Sequence, residues 1–214
     1  MKEKLILIGG GGHCKACIDV IELAGYYEVV GILDIKEKVG TEIFKYPIIG
    51  TDEDIERFSK TCRNFHITIG QLGSPRKRKE IFNLLKNLRV SLPVMVSPIA
   101  YVSKYAKIGE GTIIMHHALV NAGAVIGCNC IINSKALIEH DAIVHDHCHV
   151  ATGVIINGNS KIGYDSFIGS GSILIQNIKT SSNIYLGAGS LVINDLSEPG
   201  TYVGVPVKIK PIYH

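Results

Sequence analysis

From Val96 onward every sixth residue of the chain is aliphatic, through Val102, Ile108, Ile114, Val120, Ile126, Ile132, Ile138, Val144, Val150, Ile156, Ile162 and Ile168 to Leu174. If one residue in three were aliphatic by chance, such a run would arise roughly once in a few million trials, so the period is a structural repeat. A second ladder, of small residues, follows four positions behind at Ala106, Thr112, Ala118, Ala124, Cys130, Ala136, Ala142, Cys148, Ser160, Ser166 and Ser172, with Val154 the one larger member. The residue directly after each aliphatic is often Gly or Asn, as at Gly109, Asn121, Gly127, Asn133, Asn157, Gly163 and Gly169, types that tolerate left-handed backbone angles. Each hexapeptide is therefore expected to be a short strand plus a turn. Three close one triangular coil, and coils stack about 4.8 Å apart into a parallel β-helix with a continuous aliphatic core. Cys130 and Cys148 then lie one above the other as interior spacers. The ladder falters at Thr180, resumes at Leu186 and Val192, and ends near Glu198-Pro199-Gly200. Thr201 to Lys208 is expected to fold over the last coil as an irregular cap.

Before the repeat the period changes. Strand-like runs at Leu5 to Ile8, Val29 to Leu33 and His66 to Ile69 alternate with helical candidates at His13 to Ala24, Asp52 to Lys60 and Pro75 to Leu88. Such alternation implies a small parallel α/β unit, so the chain divides into residues 1–92 and 93–214. The first strand runs into Gly9-Gly10-Gly11-Gly12 and a helix, and the second ends at Asp34. A glycine turn at a helix N-terminus offers free N–H groups to a phosphate. The GxGxxG fingerprint is incomplete, because Cys14 or Lys15 stands at the third glycine position. With about half the strands of a full dinucleotide fold, the segment points to a nucleotide or nucleotide-sugar before NAD. A purely structural glycine turn is the alternative.

Composition removes several function classes. Charged residues are only 19% of the chain and the net charge is +3, with much of the positive charge in the run Arg76 to Lys79 at an expected helix start, so nucleic-acid binding is not indicated. The N-terminal apolar run is too short for a signal peptide or a membrane span, which places the protein in the cytoplasm. Among the six cysteines, Cys14 and Cys17 form one isolated CxxC without the partner features of a thiol oxidoreductase, and all six read as ordinary reduced cysteines.

Six of the nine histidines fall between residues 116 and 149, at His116, His117, His140, His145, His147 and His149. Exposed positions of a solenoid rarely need imidazoles for packing, and a neutral imidazole near pH 7 can take a proton from an amine or hydroxyl. His140 stands out within Leu137-Ile138-Glu139-His140-Asp141, where a neighbouring carboxylate can orient the ring.

Both halves together resemble the bacterial sugar acyltransferases of the NeuD and PglD type. The resemblance rests on Gly9 to Lys15 with its GGHxK ending, Asp34, Ile69-Gly70, the stretch Asn133 to His149, and the closing Tyr202-Val203-Gly204-Val205-Pro206-Val207-Lys208. It implies a Rossmann-like N-terminal domain followed by a left-handed β-helix, assembled as a homotrimer with acetyl-CoA in the groove between adjacent β-helices. It implies His140 as the base that deprotonates the acceptor amine, with Asp141 where an acidic residue assists it. His149 matches a coenzyme A contact, and Ser170 and Ala188 fall where backbone groups line the acetyl-CoA groove. Gly11, Gly12, His13, Asp34, Ile35 and Gly70 match nucleotide-sugar contacts, and Asn133 lies near the acceptor sugar. Ile35 stands where the family often carries a second acidic residue.

The implied reaction is direct acetyl transfer to a nucleotide-linked amino sugar, without a metal or a covalent enzyme intermediate. Three other readings stay open on the residues alone. The acceptor is a sialic-acid-like sugar acetylated on oxygen; or His140 and His145 belong to a zinc site of the gamma carbonic anhydrase kind; or the protein is a non-catalytic nucleotide-sugar sensor.

Overall fold

The structure, a computed structural model, describes residues 2–210. The first strand, β1 (Glu3–Ile8), leads through the glycine turn into α1 (Gly12–Ala24), followed by β2 (Tyr27–Leu33), a short β3 (Glu42–Ile43), β4 (Tyr46–Gly50), α2 (Ile55–Ser59), β5 (Asn64–Ile67) and α3 (Arg76–Asn87). The sheet order is β3-β4-β2-β1-β5, parallel throughout except for the β3–β4 pair. β1 lies between two strands and is apolar on both faces, as a strand covered by helices on both sides must be. Leu5 and Leu7 join α1, whereas Ile6 and Ile8 join the cluster formed with α2 and α3.

Two features of this half differ from the sequence expectation. β4 carries Pro47, which gives no ladder N–H and masks the strand signal. The expected helix from Asp52 to Lys60 is split into a 3-10 turn, Asp52–Asp54, and the short α2, because Thr51 and Asp54 form a capping box that tightens its start.

From Met95–Val96 onward two-residue strands pair with partners eighteen residues away, building three parallel stacks. The first face carries Met95–Val96, Ile113–Ile114, Ile131–Ile132, His149–Val150 and Phe167–Ile168; the second runs from Tyr101–Val102 to Leu191–Val192; the third from Lys107–Ile108 to Lys161–Ile162. The aliphatic ladder points inward, and from Ile114 to Leu174 it is almost fully buried. The small ladder fills the space beside it. There Ser160 Oγ donates to the Ile175 carbonyl at 2.8 Å and the Cys148 thiol to the Gly163 carbonyl at 3.1 Å, so cysteine takes the place of serine as a satisfied interior spacer.

The corners correct one expectation. The left-handed residue is not the one after each aliphatic but the third after it, as at His117, Asn129, Lys135, Asp141, His147, Asn159 and Asp165, with φ between 52° and 63°. The glycine directly after the aliphatic has a different purpose. A Cβ on Gly127 would lie 2.6 Å from the Asp146 nitrogen, and one on Gly169 2.5 Å from that of Ala188. Those glycines let one coil's backbone close on the next.

The C-terminal cap is also more regular than expected. Gly200–Gly204 adds a parallel strand beside Ile184–Leu186, and Val207–Ile209 folds back on it antiparallel. The two halves share a core, since α1 packs Cys14, Cys17 and Ile18 in one cluster with Met95, Ile113, Met115 and Ile131 from the first face. Among the described residues no helix is long and apolar enough to cross a membrane.

Candidate active site

A cleft of about 690 Å³ opens beyond the carboxyl ends of β1, β2 and β5, the side on which open parallel sheets bind ligands. Its walls are Gly9–Gly11, Asp34–Lys38, Thr51–Glu53, Ile69, Gly70 and Lys77. The glycines differ in what they do. Gly9 has φ +102°, and a Cβ there would lie 2.3 Å from Ile69; a Cβ on Gly10 would lie 2.6 Å from the Asp34 carboxylate. Gly11 and Gly12 face open space, and α1 begins with neither a capping side chain nor an acidic residue in its first turn. That leaves its N–H groups and the positive end of its dipole for an anion. Asp34 accepts from Lys38 Nζ at 2.7 Å and from the Ile35 N–H at 2.9 Å, while the Ile35 side chain stands exposed at the rim.

Below the cleft lies a seam between the domains that is rich in buried polar groups. The Arg78 guanidinium is buried, has no carboxylate partner among the described residues, and donates to the carbonyls of Ile67, Ile69 and Asn129 and to Asn129 Oδ1. Burial lowers its pKa to about 10. His13 sits 3.4 Å from Cys17 Sγ, and burial, then Arg78, His149 and His66, push its pKa down to about 3. His66 is likewise held at about 3 by burial and Arg78. Burial raises the Cys14 thiol to about 11 and Cys17 further still, so the CxxC carries no thiolate near neutrality.

His149 also belongs to this seam. Its Nδ1 lies 2.6 Å from the Gln71 carbonyl and its Nε2 3.2 Å from Asn133 Nδ2. Burial lowers its pKa to about 4.

His140 is placed quite differently. It and Asp141 are the second and third residues after Ile138, so they form the corner that follows the second face, and Asp141 takes the left-handed angle there. Asp141 Oδ2 accepts from His140 Nδ1 at 3.0 Å, leaving Nε2 as a free acceptor. The ring lies over Gly158, one coil along, where a Cβ would be 2.7 Å from both Cε1 and Nε2. Asn157, Asn159, Gln176 and Asn177 line the shallow pocket around it. Glu139, beside the pair, accepts from Asn121 Nδ2 at 2.9 Å.

Within one chain the expected residues therefore form separate groups. Gly11, Asp34, Ile35 and Gly70 share the cleft, with Gly12 at its helix start and His13 beneath; Asn133 and His149 are bonded to each other, as are His140 and Asp141. Ser170 and Ala188 are exposed and stacked on the corner before the second face, so that face separates them from His140. Of the other histidines in this stretch, His116 bridges Ser97 and Asp19, His145 stacks on Tyr164, His147 meets Asn129 and Phe82, and His117 stands exposed at a corner. Among the described residues no group of His, Cys, Asp or Glu is gathered so as to hold a metal ion.

Sequence reasoning missed Arg78, Gln71 and Gly158. Arg78 was readable as the polar member of a helical face with Ile81, Phe82 and Leu85, and Gly158 as the residue one coil after His140. No local pattern marks Gln71.

A β-helix with an exposed His–Asp corner, joined to a glycine-turn α/β cleft, is the build of a hexapeptide-repeat transferase. Residues 4–85 match the PglD N-terminal domain family. The acetyltransferase domain of PglB from Neisseria gonorrhoeae is 32% identical over 98% of this chain and 100% of that one, with a TM-score of 0.89. The same domain in complex with acetyl coenzyme A gives 30% identity, the same coverage and a TM-score of 0.91. A histidine variant of perosamine N-acetyltransferase from Caulobacter crescentus, in complex with CoA and GDP-perosamine, is 28% identical over 97% of each chain, with a TM-score of 0.91. The search of curated proteins found no match. This chain belongs to the NeuD/PglD family of bacterial sugar acetyltransferases, and its solenoid is the left-handed β-helix of that family.

Proposed function

We propose that the protein transfers the acetyl group of acetyl-CoA to the amine of a nucleotide-linked amino sugar, with His140 as general base. The observation that carries this reading is the His140–Asp141 corner. One ring nitrogen is tied to a carboxylate and the other is an open acceptor above a glycine. The similarity to a perosamine N-acetyltransferase holding CoA and GDP-perosamine, across nearly the whole chain, supports the donor and the acceptor class.

In the reaction the acceptor nitrogen attacks the thioester carbonyl and gives its proton to His140 Nε2. Asp141 holds the ring in the tautomer whose Nε2 is free and stabilises the cation formed. Collapse of the tetrahedral species breaks the carbon–sulfur bond, and the proton held by His140 goes to the departing thiolate. Residues 1–92 hold the nucleotide, its phosphates facing Gly11 and Gly12 at the start of α1, with His13, Asp34, Ile35 and Gly70 around it. Residues 93–214 carry out the transfer, with Ser170 and Ala188 along the acetyl-CoA groove and Asn133 beside the acceptor. Both substrates belong to the cytoplasm, and the reaction is assigned there.

A homotrimer completes the site. On the second face the outward residues form one apolar column, Tyr101, Leu119, Leu137, Ile155, Ile173 and Leu191, because strands alternate inward and outward. His140 stands 63% exposed at one edge of that face and Ser170 and Ala188 at the other. Packing the face against a neighbouring copy covers the column and brings one chain's His140 towards its neighbour's groove.

The test is thiol release from acetyl-CoA with a panel of UDP-, GDP- and dTDP-linked 4-amino sugars and free sialic acid, for wild type and His140→Ala. Turnover of one amino sugar that is lost in the variant is the expected result. Turnover with sialic acid alone, or none with any acceptor, overturns the proposal.

A further inference from the structure

In the pocket beside His140 the polar side chains largely satisfy one another. Asp141 accepts from His140 Nδ1, and Glu139 accepts from Asn121 Nδ2 and from the His140 N–H. Asn157 Nδ2 donates to the Leu174 carbonyl at 2.8 Å, and Asn159 Nδ2 to Asn177 Oδ1 at 2.8 Å. Gln176 is different. It lines the same pocket and is exposed, and its side-chain amide makes no hydrogen bond among the described residues.

The corner stacks residues at intervals of eighteen, so His140, Gly158 and Gln176 form one column. The Asn159 N–H donates to the His140 carbonyl at 3.0 Å, and the Asn177 N–H to the Gly158 carbonyl at 3.0 Å, which ties the three coils together. Because the His140 ring leans over Gly158, its Nε2 stands level with that coil, and Gln176 is one coil, about 4.8 Å, further along. Two uncommitted polar groups therefore flank one glycine, a base on the near side and a primary amide on the far side.

The order along the column selects the ligand that the amide meets. Copies related by a rotation keep equal coils level, so the coil of Gln176 lies level with the neighbouring copy's coil of Ser170, with Ala188 one coil beyond. An acetyl-CoA whose thioester meets His140 Nε2, and whose arm follows that groove, passes Gln176 directly after the sulfur. The first amide of its pantetheine arm lies two methylenes from the sulfur, a reach close to one coil spacing of about 4.8 Å. That amide offers one N–H and one carbonyl, and a glutamine side chain supplies the acceptor and the donor to pair with them.

We infer that Gln176 is a specificity-determining contact for the donor, reading the first amide of the pantetheine arm. The inference rests on the donor proposed above, but it falls on a residue that neither the base nor the nucleotide cleft uses.

Gln176→Leu keeps the bulk and removes both hydrogen-bonding groups, and Gln176→Ala removes the bulk as well. The side chain is exposed, so both variants should fold as the wild type does. In calorimetry each should bind coenzyme A about three- to tenfold more weakly, the worth of one or two neutral hydrogen bonds. Adenosine 3′,5′-bisphosphate, which lacks the arm, should bind as it does to wild type. In turnover, KM for acetyl-CoA should rise in the same proportion with that for the nucleotide-sugar unmoved. S-acetyl-N-acetylcysteamine, which carries only the thioester and this first amide, should lose kcat/KM by a similar factor. Unchanged coenzyme A affinity in both variants overturns the inference, as does an equal loss for adenosine 3′,5′-bisphosphate. So does a fall in kcat alone, which would put Gln176 on the reacting carbonyl instead. A wild type that binds coenzyme A but acetylates no acceptor sinks the proposed reaction only, and weaker binding by Gln176→Leu then still supports the inference. A wild type that binds no coenzyme A overturns both.

Discussion

His140 and His149 lie half a coil apart in one histidine-rich stretch, yet the structure treats them as opposites. His140 is a corner residue, largely exposed, with one nitrogen on a carboxylate and the other open. His149 is a strand residue on the first face, under the α/β domain, with both nitrogens filled and its pKa lowered to about 4 by burial. Residue type alone therefore says little about chemistry here. Corners and outward strand positions alike are free or covered according to what docks against them: the corner at Asn129 is sealed under Arg78, whereas the corner at His140 is left open.

The largest test of the contrast is His140→Ala, for which kcat should fall about a hundred- to ten-thousandfold, the usual worth of a positioned base. Its stability in urea should change by less than about 0.5 kcal/mol, as expected for an exposed side chain. A destabilised His140→Ala would show that the corner residue is structural after all. Gly158→Ala comes next. The added methyl lies 2.7 Å from the His140 ring in its present position, so the ring must move, and kcat should fall about ten- to a hundredfold with KM largely unchanged.

On the buried side, Arg78→Met removes the cation that joins the Ile67–Ile69 segment to Asn129. It leaves carbonyls without donors, at a cost of about 1–3 kcal/mol in denaturant unfolding. A smaller effect is in pH. The folded pKa values of His13 and His66, about 3, and of His149, about 4, lie below the ordinary histidine value, so the unfolded chain binds these protons first. Their contribution to stability is complete above about pH 6.5 and is lost progressively as pH falls towards 3. Melting temperatures across that window should drop with acidity, and His149→Asn should drop less steeply than wild type. Equal slopes would place His149 outside the buried set.

Much of the architecture was legible because it is periodic. The strands from Val102 to Leu174 recur at the expected sixth positions, and Cys130 and Cys148 are interior spacers, since a residue eighteen positions on must occupy the same site one coil along. Legibility failed where the period ends or where two explanations fit one residue. Gly127 and Gly169 suggested left-handed turns but are small because the next coil's backbone is close. β4 was hidden by Pro47, although a strand can carry a proline at a position that needs no donor, and the C-terminal hairpin by Pro206, which sits in the turn between its two strands. The His140–Asp141 contact was readable from adjacency. The link from His149 to Gln71 spans 78 residues and left no trace in composition or spacing.

The sequence by itself determined the solenoid, its inward ladder, its spacers and the corner on which His140 and Asp141 stand, because a repeat dictates each residue's place from its number alone. Only the tertiary structure decided which histidines stay in solvent and which are sealed at the seam. That outcome depends on α1 and the Gln71 segment docking on the first face, and docking is set by the shape and apolar area of two folded surfaces, to which no local period corresponds.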